Sequence, residues 1–411
     1  MAEIKRNIEL HEARQIMAGL PAARHTETIP LQQALWRVCA RDVEAQLPHP
    51  PFNRSPFDGY AYRAADTALA SRDVPAVLRV SMEIPAGDVP VEPVLPGCAA
   101  KILTGAPIPD GADAVIKFEE TEFTDTEVRI FAPVTPGKNI VLAGEDYPHG
   151  RVLVQEGSVI TPAMIGIMAS QGMTQVKVFR KPVVAIINTG SELVQPGQPL
   201  PYGKIFNSNT YTLQGYITDF GAECRDVGIV TDDPGLIVER IDSVHDDADL
   251  IITTGGASVG DYDFAFAAAE QSGGEILFYK IDIRPGGSLL VYLLRGKPVL
   301  CLSGNPGAAA LGLLFVGLPY IRKLCGRSDV LAETKVLLLK HPLNKKSPRT
   351  RVLRGHLEIS DGKAWFVEDG SQGGGDLSSL AWCNLIAEIP AGSDKLPAGT
   401  PVRCYYVGSQ M

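Results

Sequence analysis

The stretch Asp249 to Asp263, DLIITTGGASVGDYD, limits the fold more than any other part of the chain. It opens on a continuous apolar run, Leu250-Ile251-Ile252, of the kind that fills a parallel strand covered on both faces. It then becomes Thr253, Thr254, Gly255, Gly256, Ser258 and Gly260, a loop whose backbone N–H groups can approach an anion with no Cβ in the way. Asp261 and Asp263 follow where acids beside a phosphate-sized loop would hold Mg²⁺, and a helical pattern from Phe264 to Glu270 closes the unit. Strand, glycine loop and helix in that order is the geometry in which open α/β sheets take ligands at the carboxyl ends of their strands.

The same order recurs around it. Val183 to Ile187 runs into Asn188-Thr189-Gly190-Ser191-Glu192-Leu193, and Asp226 to Val230 runs into Thr231-Asp232-Asp233-Pro234, an N-cap acid before a first-turn proline. Pro298 to Leu302 delivers Ser303-Gly304-Asn305-Pro306-Gly307 to a helix from Ala308 to Leu324. A helix from Asn209 to Phe220 is expected to use Ser208 as its cap and Gly221 as its stop. Phe278 to Ile283 and Leu289 to Leu294 read as paired strands. Repetition of this kind predicts right-handed crossovers and one parallel sheet with all its loops on one edge.

A chain of 411 residues exceeds one ordinary core, and 41 glycines with 31 prolines suit short strands and several boundaries. The amino-terminal pattern predicts a helix from Ile8 to Leu20 and a second, short one from Leu31 to Cys39. Prolines in Leu47 to Phe52 then hold the chain extended. The turn at Asp58-Gly59 follows, and Val77 to Ile130 then reads as short strands of an all-β insert, with the turn Thr104-Gly105-Ala106-Pro107 within them. After Gly326, strand-length runs with turns between them predict a small β-barrel. The expected division is an N-terminal helix and linking domain (1–47 and 140–180), the insert (48–139), the doubly wound α/β domain (181–326) and the C-terminal barrel (327–411).

The 45% hydrophobic and 21% charged fractions are those of a soluble globular chain. A net charge of −9 argues against nucleic acid as the main partner. Seven scattered cysteines without a C-x-x-C pair read as buried, reduced thiols. The first residues lack the apolar core of a signal peptide and no run is expected to reach membrane-spanning length, so the protein is expected to be cytoplasmic.

Taken together, Ser55-Pro-Phe-Asp58-Gly-Tyr-Ala, Thr104-Gly-Ala-Pro-x-Pro, Gly144-Glu-Asp, Asn188-Thr-Gly-Ser-Glu192-Leu, Asp232-Asp-Pro, Thr254-Gly-Gly-x-Ser-Val-Gly-Asp-Tyr-Asp263 and Gly304-Asn-Pro occur in one order that resembles the MoeA family, related to the carboxy-terminal part of gephyrin. The resemblance runs nearly end to end. It implies a multidomain α/β plus β chain with a MogA-like central domain, an elongated homodimer, and insertion of molybdenum from molybdate into adenylylated molybdopterin with release of AMP. It also implies help from Mg²⁺ and dealings with a MogA-type adenylyltransferase and molybdoenzyme clients.

That chemistry suits the loops. Thr189, Gly190, Gly255, Gly256, Ser258, Gly260, Gly304, Asn305 and Pro306 would hold a pyrophosphate-linked pterin through N–H groups and helix starts. Asp58, Thr104, Glu192 and Asp263 are the expected catalytic group, with Glu192, Asp233 and Asp263 holding Mg²⁺ so that carboxylates can stand beside phosphates. Lys280 and Arg284, before Pro285-Gly286, are the expected cations for the oxyanion.

The chain also departs from the family. Members generally show Pro-Gly-Lys-Pro where this chain has Pro285-Gly286-Gly287-Ser288, and arginines ahead of the Gly-Glu-Asp turn where Val141-Leu142-Ala143 stand. Each lost charge-assisted contact is worth about 1.5–3 kcal/mol. A non-catalytic paralogue that binds or delivers the pterin, or a tungstate-specific variant, is therefore the alternative, and an adenylyltransferase a third reading.

Overall fold

The computed structural model describes residues 4–256, 264–331 and 333–407. They fall into two compact units, one of the described residues within 1–41, 156–162 and 175–411 and the other of those within 42–155 and 163–174.

The apolar runs become the centre of a seven-stranded sheet in the first unit. Its order is Arg6–Ile8, Glu275–Ile281, Leu290–Leu294, Lys297–Leu302, Leu250–Thr254, Val183–Thr189, Glu223–Val230. Only Leu290–Leu294 runs against the others, so the sheet is mixed rather than wholly parallel. Successive residues of one strand feed opposite cores. Val184, Ile186, Ile252 and Leu300 face Leu213 and Ile217 of the helix Asn209–Asp219 and the helical run 306–324. Ala185, Ile187, Ile251 and Val299 face Ile237 and Ile241 of Pro234–His245 and Ala265 and Ala268 of Phe264–Gln271. Full burial of each Val, Leu or Ile is worth roughly 1.5–3 kcal/mol, which is why these strands need no polar alternation.

After Val183–Thr189 the chain crosses to Glu223–Val230 on one side and then to Leu250–Thr254 on the other. The crossovers diverge there and leave a crevice at the strand ends.

The C-terminal strands Thr334–Leu339, Thr350–Ser360, Lys363–Glu368, Leu385–Ile389 and Pro401–Tyr406 close into a five-stranded barrel, because Thr350–Ser360 also pairs with Leu385–Ile389. A short strand, Ile283–Arg284, joins it in parallel, Arg284 opposite Arg351. The second unit carries a six-stranded sheet ordered Ala114–Lys117, Gly59–Tyr62, Cys98–Ile102, Ala76–Ile84, Glu127–Ile130, Thr121–Phe123.

Four expectations need correction. The sheet has an extra edge strand, Arg6–Ile8, and the amino-terminal helix begins after it, at Leu10. The segment from Leu31 to Cys39 is a 3-10 turn, Leu31–Gln33, because Trp36 takes a left-handed φ of 62° and Val38 and Cys39 form bridges to Val159 and Val178. Ser208 does not cap Asn209–Asp219 through its side chain; Asn207 Oδ1 accepts the Thr210 N–H at 3.3 Å instead. One helical run, Pro306–Leu324, does reach membrane-spanning length and hydropathy, but 94% of it is buried inside the fold, where it serves as the core helix. The cysteines carry no disulfide, and burial pushes the Cys224, Cys325 and Cys404 thiols up to about 12.

Candidate active site

At the diverging strand ends a cavity of about 520 Å³ is lined by Thr189, Glu192, Gly255, Gly256, Gly304, Asn305 and Pro306, along with Asp232, Asn207, Asn209 and Ser288. Three loops predicted from separate parts of the sequence therefore meet. A buried polar chain sets their spacing: Thr254 Oγ1 donates to Asn188 Oδ1 at 2.8 Å, Asn188 Nδ2 to Thr210 Oγ1 at 2.6 Å, and Asn209 Nδ2 to the Gly304 carbonyl at 2.9 Å. Each bond satisfies a group whose burial unpaired costs about 1–3 kcal/mol, so the network fixes the loops rather than decorating them. Gly255 stands at φ 94°, and a Cβ there would lie 2.3 Å from the Thr189 carbonyl oxygen. Only glycine lets the two loops come this close.

Glu192 and Asp232 bring carboxylates to the cavity, and among the described residues no lysine or arginine lines it. Asp233 caps the helix Pro234–His245, Oδ1 accepting the Leu236 N–H at 3.0 Å, and lies outside the cavity lining. Gly190 lies beneath the Glu192 carboxylate. Ser258, Gly260 and Asp263 lie outside the described residues. Hard oxygen donors from Glu192 and Asp232 suit Mg²⁺, which is commonly held by one or two carboxylates together with substrate phosphates.

Lys280 and Arg284 do not share a place. Lys280 takes φ 64° and sets its ammonium 4.4 Å from the Tyr279 ring centroid. Arg284 enters a second cavity, about 820 Å³, with Lys345, Lys346, Arg349 and Arg351 from the barrel. Among its described lining residues there is no carboxylate. The basic run Lys345-Lys346-Ser347-Pro348-Arg349-Thr350-Arg351 was the available sequence signal for these cations, but nothing local tied it to Arg284.

The wall between the cavities is held by Arg354, which is fully buried. Its Nη2 donates to the Gly373 carbonyl at 2.9 Å and the Ser371 carbonyl at 3.2 Å, and its Nη1 to the Asp376 carbonyl at 3.3 Å. The loop so fixed accepts the Ala308 N–H on the Gly374 carbonyl at 2.9 Å. Gly307 admits the guanidinium, since a Cβ there would stand 2.4 Å from Nη1.

Gly287 answers the question of the missing lysine. A Cβ at this position would lie 2.5 Å from both the Ile281 and Ile283 carbonyl oxygens, so this backbone has no room for a side chain. The left-handed residue of the pair is Gly286, at φ 96°. Substituting lysine at position 287 would therefore distort the loop rather than restore a cation.

In the second unit, Asp58 Oδ1 accepts both the Oγ1–H and the N–H of Thr104, each at 2.7 Å. These two bonds hold the carboxyl below the usual carboxylate range. Two turns 46 residues apart are thereby latched together.

The comparisons with known proteins cover the whole of this architecture. Residues 8–172 match the MoeA N-terminal region (domain I and II), 185–323 a probable molybdopterin binding domain, and 337–406 the MoeA C-terminal region (domain IV). The chain is 34% identical over 399 residues to a molybdopterin molybdenumtransferase of Staphylococcus aureus (strain COL), covering 97% of this chain and 95% of that protein. It is 34% identical over 407 residues to that of Bacillus subtilis (strain 168), covering 98% and 95%. The crystal structure of a molybdopterin biosynthesis MoeA protein from Pyrococcus horikoshii OT3 superposes with a TM-score of 0.83 at 30% identity, covering 97% of this chain and all of that one. With its three family regions in order and its relatives matched over nearly their full length, the chain belongs to the MoeA family.

Proposed function

We propose that the chain is a molybdopterin molybdenumtransferase, working in the cytoplasm, that inserts molybdenum from molybdate into adenylylated molybdopterin with release of AMP. The observation that carries this reading is the strand-end cavity, where the loops after three neighbouring strands meet around Glu192 and Asp232. Gly256 and Gly304 would offer backbone N–H groups to a pyrophosphate, while the buried, unpartnered Asn209 Oδ1 and the Ser288 hydroxyl would meet the polar edge of a pterin. Glu192 and Asp232 would hold Mg²⁺, which when bound supplies the charge that lets carboxylates stand beside the phosphoanhydride and polarises that bond for cleavage. Asp263 is proposed to join them, and Asp58 with Thr104 to complete the catalytic group. The oxyanion is assigned to Arg284 with Lys345, Lys346, Arg349 and Arg351.

We also propose that the four sections read from the sequence are the working parts of the chain, and that two chains form a homodimer in which the insert of one serves the strand-end loops of the other. Mixing Asp58→Ala with Asp263→Ala chains, each inactive alone, should then return roughly a quarter of wild-type activity, because about half of all dimers are mixed and one of their two sites is intact. A mixture no better than its parents after verified subunit exchange would mean that each chain works alone.

The transfer itself is tested by incubating the purified chain with adenylylated molybdopterin, Mg²⁺ and molybdate or tungstate, and measuring AMP release and metal retained by the pterin. Stoichiometric AMP with retained molybdenum is the expected result. The closed space at Gly287 favours one other reading, a pterin-binding chain without transfer. Tight pterin binding with no AMP from either oxyanion would establish it.

A further inference from the structure

Away from the strand ends, a cavity of about 470 Å³ in the first unit gathers Arg37, Arg180, Lys181 and Arg327 from three separate segments. One edge of each guanidinium is already fixed. Arg37 Nη2 donates to Glu27 Oε1 at 2.5 Å and the Phe179 carbonyl at 2.8 Å, Arg180 Nη2 to Asp249 Oδ2 at 3.1 Å, and Arg327 to both oxygens of Asp329. A guanidinium has five N–H donors, so each keeps others for a ligand while its position is set in advance. Lys181 has no carboxylate partner among the described residues. The four cations and the buried Cys325 thiol line one space. Asp219 is the one carboxylate among the described lining residues.

Of the aromatic lining residues, Phe179 and Phe220 are buried and Trp36 is the exposed one. Its backbone is left-handed, φ 62°, and its residue surface is 43% exposed, although an indole favours burial and a bulky residue favours negative φ. Its backbone N–H donates to the Ile160 carbonyl at 2.9 Å, which locks the strained turn. Strain of this kind persists where the surrounding structure imposes it, and such sites cluster where ligands bind. Cations beside a presented indole suit a planar ring carrying a phosphate: the guanidinium and ammonium groups neutralise the anion, and the indole offers a stacking face. The volume lies within the range of small-molecule sites.

We propose that this cavity binds a phosphorylated aromatic heterocycle of mononucleotide size, its phosphate among Arg37, Arg180, Lys181 and Arg327 and its ring stacked on Trp36.

The test titrates AMP, adenosine and inorganic phosphate into the full chain, read by calorimetry and by tryptophan emission. AMP should bind and quench emission, and adenosine should bind at least tenfold more weakly. In Lys181→Glu the AMP affinity should fall at least tenfold. In Trp36→Leu the quenching and one binding equivalent per chain should vanish, whereas Trp36→Phe should lose the quenching but keep the AMP affinity within about threefold, on the expectation that phenyl retains a stacking face. Unchanged affinity and stoichiometry in both Lys181→Glu and Trp36→Leu would place AMP elsewhere and overturn the proposal. So would inorganic phosphate that binds as tightly as AMP while Trp36 stays silent. AMP release in the transfer assay is independent of either outcome.

Discussion

The strand-end cavity and the barrel-side cavity belong to the same unit yet are charged in opposite senses. Glu192 and Asp232 line the first without a described cation, whereas Arg284, Lys345, Lys346, Arg349 and Arg351 line the second without a described carboxylate. On the proposed function a phosphate group would enter the first together with a metal ion, and an oxyanion would enter the second among cations of which Lys346 also pairs with Asp394 and Arg349 with Asp282. The contrast teaches that anion recognition here is divided. On the proposed function one part would depend on Mg²⁺ and the other on side-chain charge, so the two should respond differently to chelation, salt and mutation.

The harshest way to break the contrast is to remove the wall between the cavities. Arg354→Ala strands the carbonyls of Ser371, Gly373 and Asp376 and frees the loop that meets the helix start at Ala308. Each buried carbonyl left without its donor costs about 1–3 kcal/mol. Chemical denaturation should show a shift of that order, and a loss below about 1 kcal/mol would mean the loop is held by other contacts.

Next in size is the metal-dependent side. Glu192→Ala combined with Asp232→Ala should lower AMP release by a hundredfold or more, the scale of losing a group that stabilises developing charge. The melting temperature should hardly change, because neither side chain is in the core. Molybdate affinity should stay within about twofold, and a parallel loss of molybdate binding would merge the two cavities into one functional site.

Arg351→Glu sharpens the other side. Each charge-assisted contact is worth about 1.5–3 kcal/mol, so calorimetric affinity for molybdate should drop at least tenfold while the Mg²⁺ dependence of AMP release is preserved. An unchanged affinity would take Arg351 out of the oxyanion pocket.

The smallest effect concerns Asp58. Its folded-state pKa is depressed, first by the Thr104 hydroxyl and then by the Thr104 N–H. The latch is therefore fully present above the unfolded carboxylate pKa and is lost as pH falls through the lowered folded value. In Thr104→Val the carboxyl resonance should titrate closer to the ordinary carboxylate range by NMR. An unmoved midpoint would show that the backbone N–H alone sets it.

Continuous apolar strands and the glycine loops after them were legible because period and residue type act locally. The meeting of residues 189–192, 255–256 and 304–306 followed from sheet order alone. The barrel-side cavity was not legible. It depends on Arg284 falling opposite Arg351 in a parallel pairing, and register between distant segments leaves no local mark. Asp232 and Asp233 are adjacent acids, and which one caps the helix is settled by backbone geometry at Pro234. The segment from 31 to 39 had a helical pattern, but the turn at Trp36 and the bridges of Val38 and Cys39 override it.

The edge strand Arg6–Ile8 also imposes an order of events during synthesis. Arg6 pairs with Tyr279 and Ile8 with Ile281, so the first strand made must wait for nearly the last strand of its sheet. The second unit draws only on residues 42–155 and 163–174, and all its strands have left the ribosome long before that partner exists. At about 5–20 residues per second the interval is roughly five to twenty seconds, long compared with the folding of a small domain. Nascent chains should thus carry a folded second unit beside an unclosed sheet, with Ile8 and the apolar face of Leu10–Gly19 open to chaperones until Glu275–Ile281 arrives.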